Sequence, residues 1–125
     1  MGLKISVLAN EDEKTIVFML IGSLDTETHQ QLMDKTILQL KKAIKTVVLD
    51  LKSLDYISSM GISVILEMRK MIEAIGCNFM MANVPAHIDH VFKTVNALPD
   101  VIMFENIKEA DEYFLAIQKQ IKDKS

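Results

Sequence analysis

The sequence predicts an α/β fold in which an opening hairpin leads into alternating strands and helices. Three observations carry this expectation. Thr46 to Leu51 is a near-continuous aliphatic run, the pattern of a strand covered on both faces in a parallel sheet. Around it, segments of period two alternate with segments of helical period, joined by short connections. No linker, repeat or low-complexity tract interrupts the 125 residues, so 1–125 reads as one domain able to bury a two- or three-layer core.

Leu3 to Ala9 places Leu3, Ile5, Val7 and Ala9 on one side and Lys4, Ser6 and Leu8 on the other, which predicts a strand. Asn10 to Glu13 is a polar turn and Thr15 to Ile21 a second strand, giving the hairpin. Gly22 to Thr28 leads into a helix that Asp25 or Thr26 can cap, since a side-chain oxygen there accepts an otherwise unpaired N–H. Leu32, Met33, Ile37, Leu40 and Ile44 form its apolar stripe, and Lys41, Lys42 and Lys45 suit the negative end of its dipole.

After the central strand, Lys52 to Ile57 reads as a loop. The next helix opens at Ser58 and Ser59 and buries Ile62, Ile65, Met68, Ile72 and Ile75. Glu67, Arg69, Lys70 and Glu73 face water, and Gly76 is placed for a left-handed C-terminal cap. Cys77 to Ala82 is a strand, Pro85 begins a helix through Ala97, and Val101 to Phe104 is a brief strand. Asn106 caps a last helix through Ile107, Ala110, Phe114, Ile117 and Ile121, with Lys119 to Ser125 expected to fray. Met33, Met68 and Met71 fall on core faces, so most of the nine methionines are expected as soft packing.

The totals exclude several function classes. A net charge of −3 leaves no basic footprint for nucleic acid. No stretch approaches the roughly 18 apolar residues of a membrane span. The first residues lack the basic start of a signal peptide, and with Cys77 as the single cysteine a cytoplasmic setting is expected. Gly2 with Ser6 fits a myristoylation spacing, but the segment reads more simply as the start of a strand.

Candidate sites are few. His87 and His90 stand three apart near Asp89, yet a third and fourth ligand at metal-binding spacing are missing, so a solvated helix face is the reading. Cys77 has no neighbouring histidine and reads as a packing residue. No nucleophile elbow, phosphate-binding glycine loop or dinucleotide glycine pattern occurs, and Asp50 and Asp55 show no sign of an acid–base pair. No enzyme, metal or cofactor is expected. Ser58 and Ser59 at the helix start have two readings: a hydroxyl there caps the helix, or it accepts phosphate where the helix N-terminus favours an anion.

Gly22-Ser23-Leu24-Asp25 after the second strand, and Val48-Leu49-Asp50-Leu51 leading to Tyr56-Ile57-Ser58-Ser59-Met60-Gly61, resemble the anti-sigma factor antagonists. These belong to the sulfate transporter and anti-sigma antagonist (STAS) domain family. Asn96-Ala97-Leu98, the strand to Phe104 and the helix at Glu109-Ala110 extend the resemblance over nearly the whole chain. It implies a mixed, mostly parallel sheet packed against about four helices. It further implies a non-enzymatic regulator that binds an anti-sigma factor, often itself a serine kinase, and thereby frees a sigma factor. A serine phosphatase would reverse the switch.

Aligned on Gly61, the phosphoacceptor implied by the resemblance is Ser59, with Ser58 as the alternative. Ser58 stands where the family usually has aspartate, Met60 where it has a small residue and Ser63 where it has glycine. Asp25, Thr26, Tyr56, Ser58, Ser59, Met60 and Gly61 are the implied partner surface. Two other readings stand beside this one: a STAS-like scaffold without phosphorylation, and a small-ligand sensor using a pocket beside the helix.

Overall fold

The computed structural model describes residues 2–10, 14–40, 43–97 and 107–124. The hairpin comes first. β1 (Leu3–Asn10) and β2 (Thr15–Leu24) pair antiparallel from Leu3 opposite Gly22 to Asn10 opposite Thr15. There follow α1 (His29–Gln39), β3 (Thr46–Asp50), β4 (Leu54–Ile57), α2 (Ser59–Ala74), β5 (Asn78–Ala82), α3 (Ala86–Ala97) and α4 (Ile107–Lys124). The sheet is mixed and mostly parallel, as expected: β3 and β4 both run parallel to β2, and β5 runs parallel to β3.

β2 is long enough to hold two partners on the edge that β1 leaves open. Thr15 to Met19 pairs with β3 and Gly22 to Leu24 with β4, with a register shift between Gly22 and Ser23. The segment read as a loop therefore contains a strand. Leu54-Asp55-Tyr56-Ile57 buries Leu54 and Ile57, three residues apart, so no period of two marks the strand in the sequence.

The core lies on one face of the sheet. Ile16, Phe18 and Leu20 of β2 and Val47 and Leu49 of β3 pack against Leu32 of α1, Ile65, Met68 and Ile72 of α2, and Ile88 and Val91 of α3. Each such side chain contributes roughly 1.5–3 kcal/mol of transfer free energy, set against the entropy of ordering it. The opposite face is covered by no element among the described residues. Val17 and Val48 are half-buried there, and Leu8, Met19, Ile21 and Met80 are exposed. Burial of the central strand on both faces, with Val48 in the core, is thus corrected: alternate residues of an aliphatic run can line an apolar face that nothing described covers. Met68 packs as expected, whereas Met19, Met80 and Met81 are exposed.

The helices carry further corrections. α1 starts at His29, later than a cap at Asp25 or Thr26 would place it, and ends at Gln39, so Lys45 is not in its last turn. Lys41 and Lys42 lie outside the described residues. Leu32 and Thr36 are its buried positions and Ile37 is exposed. α2 buries Ile62, Ile65, Met68 and Ile72 as expected, but Ile75 is exposed. Gly76 adopts φ 83, its N–H donates to Glu73 O and that of Cys77 to Ile72 O, the paired bonds of a Schellman cap. Pro85 precedes α3, its carbonyl accepting the Asp89 N–H at 2.8 Å. The expected strand at Val101 to Phe104 and the cap at Asn106 lie outside the described residues. α4 remains helical through Lys124, where fraying was expected.

Candidate functional site at the β4–α2 junction

Ser58 joins β4 to α2 in extended conformation, with φ −95 and ψ 177. Its hydroxyl accepts the Gly61 N–H at 3.2 Å, and its carbonyl accepts the Ile62 N–H at 3.0 Å. This is an N-cap, and Ser58 is buried within it. Ser59, the first helical residue, is half-buried, as is Met60. The first turn of α2 contains no acidic residue, so its N–H groups and dipole meet no side-chain anion from within the turn. Gly61 is buried against β2 and has no side chain to hold α2 away from it.

The Gly22 to Thr28 loop emerges at the same end of the sheet because β2 and β4 are parallel, with Ser23 beside Tyr56 and Leu24 beside Ile57. The Ser58 N–H continues that ladder to Leu24 O at 3.0 Å. Asp25 is not the cap of α1. Its carboxylate folds back to accept the Glu27 N–H at 3.0 Å and the Thr28 N–H at 3.1 Å, closing a turn of its own. Thr28 fixes that turn: its hydroxyl accepts the Asp25 N–H at 2.9 Å and donates to Ser23 O at 2.8 Å.

The far edge of β4 has no strand partner among the described residues, and side chains take that place. Gln118 of α4 accepts the Ile57 N–H at 2.9 Å and donates to Ile57 O at 2.6 Å. The His87 ring Nε2 is 2.7 Å from Asp55 O, and the Lys122 ammonium pairs with the Asp55 carboxylate. The expectation of a solvated face at His87 to His90 is therefore corrected for His87, which is buried and directed at β4. Asp89 pairs with Lys93 at 2.9 Å, and that hydrogen bond holds the Lys93 ammonium above its ordinary pKa. No group of three metal-ligating side chains occurs among the described residues. Beside the junction is a cleft of about 550 Å³ lined by Ser23, Asp25, Tyr56, Gln118 and Lys122 among others. The buried Ser23 hydroxyl has no hydrogen-bond partner among the described residues.

The STAS domain profile matches residues 6–110. The chain belongs to the STAS domain family. This STAS domain is 28% identical over 95 residues to BtrV of Bordetella bronchiseptica, a candidate anti-sigma factor antagonist, covering 76% of this chain and 81% of BtrV. Its fold is similar to that of the anti-sigma factor antagonist SpoIIAA in its unphosphorylated form, with TM-score 0.60, 20% identity, and coverage of 88% of this chain and 96% of that one. The phosphorylated form of the Bacillus SpoIIAA gives TM-score 0.61 at 21% identity, covering 88% and 98%. Similarity to Mglu, with TM-score 0.56 and 23% identity, covers 65% of this chain but only 20% of Mglu. At these identities the structures establish the fold. Among the described residues no helix of this STAS domain is long and apolar enough to cross a membrane.

Of the residues singled out from sequence, Asp25, Thr26, Tyr56, Ser59 and Met60 lie at one end of the sheet with at least part of their surface accessible. Ser58 and Gly61 are inside and shape that surface from beneath. The sequence reading missed the roles of Thr28 and His87, and missed Gln118 altogether. A signal existed for Gln118: it lies four residues after Phe114 and three before Ile121, a polar residue on an apolar stripe.

Proposed function

We propose that this STAS domain is an anti-sigma factor antagonist, which binds an anti-sigma factor and so frees a sigma factor. Asp25, Thr26, Tyr56, Ser59 and Met60 form the docking surface, and phosphorylation of Ser59 by a serine-kinase anti-sigma factor releases the complex. A serine phosphatase resets it. The observation that carries this reading is the division of labour at the helix start. Ser58 is buried as the cap, leaving Ser59 as the more accessible hydroxyl at the site the family motif marks.

Phosphate adds roughly −1.5 to −2 charges and three strong acceptors. The N–H groups of the first turn of α2 tolerate that charge, so the fold survives. A partner packed on the same surface must desolvate the charge or be repelled by it, so the complex does not. Mass spectrometry after incubation with the anti-sigma factor kinase and ATP tests this directly, with phosphate expected on Ser59. Ser59→Asp should bind the unphosphorylated-state partner at least about tenfold more weakly, with an unchanged melting curve. Phosphate on neither serine would favour a scaffold that does not switch.

The cleft beside Ser23 favours a second reading, a ligand-sensing module. A melting shift with a small molecule, lost in a variant that fills the cleft, would support it.

A further inference from the structure

We infer that Gln118 is a positioning residue for the phosphoacceptor end of α2: its side-chain amide stands in for a neighbouring strand at Ile57 and fixes where Ser58 and Ser59 sit. This rests on Ser59 being the acceptor.

The argument begins with the polarity of the β4 edges. Along a parallel strand, the backbone groups of successive residues point to opposite edges. Tyr56 and Ser58 serve the β2 side, where the Ser58 N–H reaches Leu24 O at 3.0 Å. Asp55 and Ile57 therefore direct their groups away from β2. β5 pairs with β3 as far as Ala82 opposite Asp50, and the Leu51 N–H donates to Ala82 O, so no described strand continues alongside β4. A buried N–H and C=O without partners would be costly at this edge.

Gln118 supplies both partners at once. The amide matches the peptide group in donor and acceptor, so Oε1 takes the Ile57 N–H at 2.9 Å and Nε2 serves Ile57 O at 2.6 Å. Gln118 is 2% exposed, so water cannot readily substitute for it. His87 serves Asp55 O in the same way, two residues upstream. Lys122, one helical turn beyond Gln118, closes the outer end on the Asp55 carboxylate. The junction is thereby held from two sides, by β2 through Leu24 and by α4 through Gln118.

Ile57 immediately precedes the cap. If its backbone groups must turn to find water, Ser58 shifts with them, and the Ser59 hydroxyl moves relative to a bound kinase. Phosphoryl transfer depends on placement of the attacking oxygen, and a displacement of about 1 Å can lower such rates by about 100-fold. Gln118 touches neither phosphate nor kinase. It acts through Ile57.

Gln118→Met keeps the side-chain volume and removes both hydrogen bonds. Amide exchange should become faster by about tenfold or more at Ile57 to Gly61, with Val47 to Leu49 unchanged. The rate of Ser59 labelling by the kinase should fall by a similar factor. Unaltered exchange at the junction, equal loss of protection across β3, or wild-type labelling despite a loosened junction would each overturn the inference. If Gln118→Met does not fold, Gln118→Asn keeps the amide donor and acceptor but draws them back from Ile57 by one methylene. The same local effect is then expected at smaller amplitude, and its absence is equally decisive. A wild-type chain that is not labelled on Ser59 would overturn the phosphorylation reading, while the exchange measurement would still decide whether Gln118 holds the junction.

Discussion

Gly61 stands against Leu24 so closely that a Cβ added at Gly61 would meet the Leu24 carbonyl oxygen at 2.5 Å and the Ile57 side chain at 2.7 Å. That contact brings the first turn of α2 onto the end of β2. Gly61→Ala gains about 1 kcal/mol in helix propensity but forces backbone apart, so a net loss of about 3 kcal/mol or more is expected. Urea unfolding measures it. A neutral or stabilised variant would show that α2 does not press on β2.

Ser58→Ala removes the cap on the Gly61 N–H and should cost about 0.5–2 kcal/mol. Kinase labelling should persist on Ser59, because the variant leaves that hydroxyl in place. Ser58→Asp should cap as well as serine does. Phosphate on Ser58 alone would mean that the acceptor has been placed one residue too late.

The one-sided sheet separates two adjacent residues. Leu49, fully buried, should lose about 2–5 kcal/mol on replacement by alanine. Val48 points to the opposite face and should lose about 1 kcal/mol or less. Comparable losses in denaturant unfolding would show that the second face is covered after all.

Methionines divide in the same way. Met80→Lys on the opposite face should change stability by no more than about 0.5 kcal/mol. Met68→Lys places an ammonium among Ile65, Ile72 and the core strands and should abolish cooperative thermal unfolding. A soluble, cooperatively melting Met68→Lys protein would contradict the placement of α2.

The architecture was legible where one local signal decided each element. Alternation marked β1 and β2, helical period marked α2, and Gly76 announced the end of α2 through its φ. The start of α2 was legible as well, since a serine before an apolar-periodic run is a strong start signal, and Ser58 is its cap. What stayed hidden depended on distant partners. Val48 looks like a core residue because a run of valine and leucine is the same text whether one face or both are covered. Asp25 looks like a cap, but its carboxylate turns to the N–H groups of Glu27 and Thr28, within the loop. His87 and Gln118 acquire their roles only when α3 and α4 reach β4.

Ile57 finds Gln118 across 61 residues of chain. In folding, closing so long a loop costs more entropy than closing the β1–β2 hairpin, and the contact cannot form until α4 is itself in place. The hairpin and β3 can assemble earlier on the way from the ribosome, yet the serine-bearing end waits for the C-terminal helix. A growing chain would thus hold most of its sheet before the junction at Ser58 and Ser59 is finished, and any recognition of that end, as in the proposed function, is expected only after synthesis has passed α4.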